Sequence, residues 1–368
     1  MKMTNLKKFQ TLLLTLVVGS ALLLGSCSKD SSTSVVAGDK TALTALIAQA
    51  DALVAAASPN DYPQAAIDNF TTTLQTVKTA AAATNLTQAQ INNLVTQLTE
   101  AMTTFNAAAY GFIDDALYLK AGWHFDEGTG STATGFSSAQ HVATFAKSWT
   151  TLLGANAALP TWVDGVKGGK AVYLTNGAHL EVPYSTDFLP ASMTISVWVK
   201  LDNLGWENNI IVSQNYWWGY KFQTQSGTKP MITERIDANT VQDFDDGDGV
   251  VAAGVWSQLV VSLNSTTNTL TFYINGVKTQ TYTETNGVGP LTQTLSFTDI
   301  NTNYTYTAQP FLIGTLATDD EIAAHPDNFS WITTANVGCF EGAIDELRIY
   351  SIALTDGQVS KLYNDEKP

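Results

Sequence analysis

One stretch near the C-terminus constrains this chain more than any other: Phe340-Glu341-Gly342-Ala343-Ile344-Asp345-Glu346-Leu347-Arg348-Ile349-Tyr350. It reads as a β-strand, in which side chains alternate between two faces with period two. One face then carries Ala343, Asp345, Leu347 and Ile349, and the other carries Ile344, Glu346, Arg348 and Tyr350. The first row is apolar except for one carboxylate. A carboxylate on a core-facing row is costly unless something pairs with it, so what Asp345 pairs with is the sharpest chemical question in the sequence.

The rest of the C-terminal region follows the same style. Met193 to Lys200 alternates cleanly, and Trp256 to Leu263, Leu270 to Ile274 and Pro310 to Gly314 are further short runs. Asn275-Gly276 is a two-residue hairpin turn. Gly122 to Gly128, Val166 to Leu174 and His179 to Pro183 are strands that start or end in turn residues. Many short strands separated by turns predict an all-β sandwich or jelly roll over residues 111–368.

Residues 39–110 have a different period. Leu43, Leu46, Ile47, Ala50, Leu53 and Val54 recur at helical spacing. So do Ile67, Phe70, Leu74, Val77 and Ala81, and then Ile91, Leu94, Val95, Leu98, Met102 and Phe105. Each set is one apolar stripe on a polar helix. Ser58-Pro59-Asn60-Asp61 breaks the first helix from the second, and Thr87 with Gln90 makes a capping box for the third. Three amphipathic helices with short loops predict an N-terminal three-helix bundle. The segment resembles FIVAR-type modules in its Tyr62-Pro63 turn, its Thr87-Gln88-Ala89-Gln90 start and its Leu…Met…Phe ending. The resemblance implies a spacer or adhesive bundle, and the lack of histidine and tryptophan favours a plain stalk.

Residues 1–26 form a leader. Lys2, Lys7 and Lys8 make a basic start, Thr11 to Leu24 is a short apolar run, and Leu24-Gly25-Ser26-Cys27 follows. The run is too short to span a membrane and has the layout of a secretory signal. Its ending resembles the bacterial lipobox, which implies that Cys27 is lipidated and anchors the mature chain in a membrane; the alternative is an ordinary signal peptide with a chance cysteine. Residues 27–38 are small and polar, a flexible tether. Lys29-Asp30 resembles the export tag of Bacteroidetes surface lipoproteins, so the expected location is the outer membrane, on its surface or periplasmic side. Cys339 is the only other cysteine. No intrachain disulfide is then available, and Cys339 reads as a buried small hydrophobe. The net charge of −15 argues against nucleic acid and against electrostatic docking on anionic lipid.

The β region also carries a family resemblance as an ordered series. Trp123-His124-Phe125-Asp126-Glu127-Gly128, Gly168-Gly169-Lys170-Ala171 and Thr194-Ile195-Ser196-Val197-Trp198-Val199 come first. Trp256, Tyr273-Ile274-Asn275-Gly276, Leu312-Ile313-Gly314, the Phe340–Tyr350 strand and Ala353-Leu354-Thr355 complete it. The series resembles the laminin-G-like, concanavalin A-like lectin/glucanase superfamily, with Gln258 standing where the family often has histidine. The resemblance implies two curved antiparallel sheets with rim loops, and a fold that hosts lectins, glycosidases and adhesion modules alike. It also implies a structural Ca2+ between the first strand, an early glycine turn and the last long strand. Carried over, that nominates Asp126, the carbonyl of Asn176 or Gly177, and Asp345 as metal ligands. Calcium takes several oxygen ligands and would answer the burial of Asp345; a carboxylate capping backbone N–H groups, or one at a wet sheet edge, would answer it equally.

For ligand binding the aromatic residues lead. Tyr216-Trp217-Trp218-Gly219-Tyr220 sits at a loop-to-strand junction, with Trp206 before it and Trp331 in a later loop. Flat rings stack on the apolar faces of sugars while their polar atoms hydrogen-bond; core packing is the competing fate of large aromatics. Trp198 is a further candidate. Asp243 and Asp245 belong to an acidic run, Asp243 to Gly249, that misses the EF-hand pattern and reads as a solvated loop able to reach sugar hydroxyls. No catalytic set emerges. Glycosidases need two carboxylates at defined separation, and neither Glu234 with Asp237 nor Glu341 with Asp345 and Glu346 has the spacing of laminarinase-type relatives. The four histidines lack metal-ligand spacing. The expectation is a lipid-anchored, non-catalytic carbohydrate-binding or adhesion protein with a polysaccharide or glycan partner. A glycoside hydrolase of the same fold, or a structural surface protein that binds another protein, stands as the alternative.

Overall fold

The computed structural model describes residues 37–202, 209–225, 229–247, 249–299 and 303–368. The leader, Cys27 and most of the tether lie outside the described residues, as does Trp206. Helices α1 (Thr41–Ala56), α2 (Gln64–Ala81) and α3 (Gln88–Ala107) pack against one another through the three anticipated stripes. Phe105 stacks on Phe70 at 4.6 Å and on Tyr62 at 4.2 Å. The capping box at Thr87 is formed on both sides.

Two large antiparallel sheets follow. Sheet A contains β1 (Leu119–Trp123), β4 (Thr161–Asp164), β5 (Lys170–Leu174), β7 (Met193–Leu201), β12 (Ser257–Asn264), β13 (Thr269–Ile274), β14 (Val277–Tyr282) and β18 (Gly342–Tyr350). Their order is β14-β13-β12-β7-β18-β5-β4, with β1 paired to β18. Sheet B contains β2 (Thr132–Thr134), β3 (Val142–Lys147), β6 (Ala178–Val182), β8 (Asn209–Gln214), β9 (Tyr220–Gln225), β10 (Lys229–Arg235), β11 (Val241–Asp245) and β17 (Phe311–Ile313). Its order is β11-β10-β9-β8-β17-β6-β3-β2. A small hairpin pairs β15 (Phe297–Thr298) with β16 (Thr305–Tyr306). Four short helices complete the domain: α4 (Asp115–Tyr118), α5 (Thr150–Leu153), α6 (Asp319–Ala324) and α7 (Asp356–Glu366).

The sheets face each other across one apolar core. From β7 it takes Ile195, Val197 and Val199, from β12 Leu259 and Val261, and from sheet B Leu180, Phe222, Ile232 and Phe311. The period-two reading of β7 holds: its alternate row, Thr194, Ser196 and Trp198, lies on the outer face of sheet A. That face is not open, because α7 covers it. Trp198 Nε1 donates to Glu366 Oε2 at 2.7 Å, and the indole stacks on Tyr363. Trp198 is therefore a buried packing residue and not part of a ligand platform. Gln258, on the neighbouring strand, donates to the same Glu366 carboxylate. Arg348 forms ion pairs with Glu366 and, at 2.8 Å, with Glu346, which in turn lies 2.9 Å from His124 Nδ1. Helix α7 also reaches the bundle, where Lys361 Nζ sits 3.2 Å from Asp61.

The strict alternation expected of β18 fails at one place. Its pairing with β7 shifts register between Asp345 and Arg348, and Glu346 has φ +48°. This is a β-bulge, which re-aims the side chains after it. Ile344 before the bulge and Leu347 and Ile349 after it all enter the core between the sheets. Asp345 pairs with Trp198 and so lies on the α7 side of the sheet. The single apolar row carrying Asp345 does not exist, yet the carboxylate is still buried, at 2% exposure.

Candidate functional site: an aromatic corner on sheet B

Residues 216–218 form one turn of 3-10 helix between β8 and β9. Such a turn has three residues per revolution, so its three adjacent rings leave in three directions. Tyr216 points inward, is 1% exposed, and donates its hydroxyl to Glu321 Oε1 at 2.5 Å. Burial, reinforced by Glu321, pushes the phenol well above its ordinary range. Tyr216 thus holds α6 in place and is not a ligand platform. Trp217 meets Trp331 at 6.0 Å between centroids. Trp218 stacks on Tyr306 at 4.2 Å and leans on Phe297.

The segment from β15 to β18 supplies the other rings. His325 is flanked by Tyr306 at 4.5 Å and Tyr304 at 5.2 Å. Asn328 ties the two halves together: its side chain bonds the Tyr306 hydroxyl, and its carbonyl accepts from Trp331 Nε1 at 3.0 Å. Beneath lies a secondary apolar cluster of Trp149, Ile210, Tyr216, Phe329, Val337 and Cys339, which fixes this long segment on sheet B. Cys339 is buried there as expected, and burial pushes its thiol up to about 12. Trp331 and Tyr304 are each 45% exposed, with Trp217 and Trp218 half-buried beside them. Tyr304, Tyr306, Asn328 and His325 were not singled out from sequence; the Tyr304-Thr305-Tyr306 alternation was the available signal.

A polar row runs from this corner across the outer face of sheet B. Ser213, Lys221, Thr233 and Asp243 are cross-strand neighbours in that order, the first three buried and only Asp243 exposed. Lys221 is buried, donates to Gln223 Oε1, and is held down to about 8 by burial against the pull of Asp243. Asp243 accepts from Thr233 Oγ1 at 2.5 Å. Asp243 and Asp245 thus stand on edge strand β11, not in the solvated loop that the acidic run suggested, because Phe244 between them fills the core. Asp246 turns inward to Thr279 and Gly249.

The nominated calcium ligands come together only in part. Asp126 Oδ1 accepts the Lys170 N–H at 2.8 Å. Asp345 accepts the Val166 N–H at 2.8 Å and the Glu346 N–H at 2.9 Å. Both carboxylates crowd the glycine loop between β4 and β5: a Cβ on Gly165 would stand 2.7 Å from Asp345 Oδ2, and one on Gly169 would overlap Asp126 Oδ1. Burial, with smaller repulsion from Glu346 and Asp126, raises Asp345 to about 8. Gly177 lies past the far end of β5, roughly 16 Å away along five strand residues. Its carbonyl accepts the Ser148 N–H at 3.0 Å, and that of Asn176 accepts the Ala158 N–H. Neither carbonyl can join Asp126 and Asp345, so the donor set fits a cation only through the two carboxylates.

The carboxylates weighed for catalysis are scattered. Glu234 is 0% exposed on the inner face of β10, and burial raises it to about 8. Its companion Asp237 is on an exposed turn, bonded to Asn239 N and Thr240. Glu341 accepts from Thr175 Oγ1 and the Asn176 N–H, which pins the β5–β6 turn. Glu346 is committed to His124 and Arg348.

Among known proteins, the family model described as the concanavalin A-like lectin/glucanases superfamily matches residues 174–360, just over half of the chain. Solved structures similar to it include domain 4 of an extracellular arabinanase from Geobacillus stearothermophilus in complex with arabinotriose. That match has 21% identity over 67% of this chain and 98% of that one, with a TM-score of 0.44. The binding domain of Paraclostridial Mosquitocidal Protein 1 matches at 14% identity over 67% of this chain and 52% of that one, TM-score 0.45. The receptor binding domain of botulinum neurotoxin mosaic serotype C/D matches at 10% over 68% and 51%, TM-score 0.42. A comparison with curated proteins gives no match. With two antiparallel sheets around one core and the family model spanning both, this chain belongs to the concanavalin A-like lectin/glucanases superfamily.

Proposed function

We propose that this protein is a lipid-anchored, non-catalytic carbohydrate-binding or adhesion protein of the cell envelope. The β-sandwich is its ligand module and the three-helix bundle its spacer. The observation that carries this reading is the exposed Trp331 beside the half-buried Trp217, held by the Trp331–Asn328 bond and the packed cluster beneath. A fixed aromatic platform suits a polysaccharide, whose rings are apolar on their faces and polar at their edges. Anchoring through Cys27 in the outer membrane is part of the proposal and rests on the lipobox-like leader. So is a structural Ca2+ at Asp126 and Asp345, which would relieve two crowded carboxylates and tie the first strand to the last.

The reading is tested by a glycan array with the chain lacking residues 1–27, in calcium. Binding to at least one polysaccharide class is expected; no binding to any glycan would sink it. Labelling of cells with a fatty-acid analogue should tag the native chain and not Cys27→Ser. Chelation should lower the melting temperature of the wild type and leave Asp345→Asn unmoved; an unchanged wild type removes calcium from the account.

A further inference from the structure

We infer that the aromatic corner takes a neutral glycan and discriminates against uronic, sulfated and sialylated sugars. This deepens the proposed glycan-binding reading and rests on it.

The first observation is the charge on the segment that supplies most of the rings. From Thr279 to Leu347 there is no lysine or arginine. The same segment carries Asp299, Asp319, Asp320, Glu321 and Asp327, of which Asp319 is bonded to Thr150 and Glu321 is buried against Tyr216. Asp320 and Asp327 are exposed, and Asp327 directly precedes the Asn328 that holds Trp331. Helix α6 opens with Asp319, Asp320 and Glu321, so its own carboxylates occupy the end that would otherwise favour an anion. The stretches of the chain outside the described residues between 203 and 302 add no lysine or arginine either.

The second observation is that the cations beside the corner are already committed. Arg235 is the one cation stacked on its rings among the described residues, with its guanidinium 4.4 Å from Trp218 and 4.8 Å from Phe297. Its Nε donates to Trp217 O at 2.9 Å, and its NH1 donates to Asp237 O at 3.0 Å and Ala238 O at 2.7 Å. Two aromatic neighbours and three backbone carbonyls leave this buried fork no geometry for the paired bonds by which arginine grips a carboxylate or sulfate. Lys221 is buried, donates to Gln223, and faces Asp243. An anionic sugar would enter among like charges and lose its hydration without an ion partner, a combination that disfavours it twice. A neutral sugar meets neither cost.

The test is titration of the chain lacking residues 1–27 with matched polysaccharides that differ only in charge. Suitable pairs are fully methyl-esterified against de-esterified homogalacturonan, and linear xylan against glucuronoxylan, at low and moderate salt. The expected result is binding of a neutral member, at least tenfold weaker binding of its anionic match, and a gap that narrows as salt rises. Asp327→Asn should strengthen the anionic arm severalfold and leave the neutral arm unchanged. Equal or tighter binding of the anionic member, weakening with salt, would overturn the inference while leaving glycan binding intact. No binding in either arm or on the wider array would overturn the glycan reading and the inference with it.

Discussion

Glu234 offers the clearest quantitative test of the packing described for sheet B. Its carboxylate is fully enclosed on the inner face of β10, and among the described residues neither oxygen has a hydrogen-bond partner of good geometry. Burial lifts its pKa from 4.5 to about 8, only partly opposed by the Gly289 N–H. The folded protein therefore keeps a proton that the unfolded chain releases. The resulting stability is fully present below pH 4.5, declines as pH rises, and is lost once pH passes about 8. At about 1.4 kcal/mol per pH unit, the loss is about 3 kcal/mol between pH 4.5 and pH 7 and about 4 kcal/mol by pH 8. Glu234→Gln keeps the shape and removes the ionisation. Urea titrations from pH 4.5 to 8, followed by tryptophan fluorescence, isolate the sandwich because all nine tryptophans lie beyond residue 111. The wild type should lose about 3 kcal/mol relative to the glutamine variant between pH 4.5 and pH 7. Parallel pH profiles for the two proteins would refute the argument and place Glu234 in contact with water or a cation.

Two further perturbations probe other parts of the fold. Thr87→Ala removes one half of the capping box on α3 and should cost the bundle about 1 kcal/mol; helical circular dichroism should register the loss while the tryptophan transition stays in place. Arg348→Met leaves Glu366 and Glu346 without their buried cation and should destabilise the sandwich by roughly 3–5 kcal/mol, with loosening of α7 visible as faster amide exchange in residues 356–366.

Much of this fold was legible in the sequence, for physical reasons that also mark where legibility stops. Beta-strand and helical periods are properties of local backbone geometry, so the β7 alternation and the three bundle stripes could be read directly. Capping at Thr87 and the turn at Asn275-Gly276 are likewise local. What covers the outer face of a sheet is not local. From sequence Trp198 therefore reads as a ligand candidate, although α7 seals it. The bulge in β18 was hidden because its left-handed residue is Glu346 and no glycine announces it. The aromatic run at 216–218 read as one cluster because sequence adjacency hides the threefold divergence of a 3-10 turn. Asp243 and Asp245 read as loop residues because the aspartate-rich composition masked the inward Phe244 between them. The loop carbonyl nominated with Asp126 and Asp345 came from a family pattern, and the length of β5 puts it out of reach.

Sugar binding at the aromatic corner is the central functional claim for this protein. Its most direct test is calorimetric titration of Trp331→Ala and Trp217→Ala with a polysaccharide that the wild type binds. Trp331 is 45% exposed and lies outside the packed apolar cluster, so its removal should leave the melting temperature within a few degrees. The expected result is about a tenfold loss of affinity for each variant, in line with about 1–1.5 kcal/mol for losing one ring contact. Unchanged affinity in both, with the fold intact, would place the ligand elsewhere on the sandwich and contradict the account.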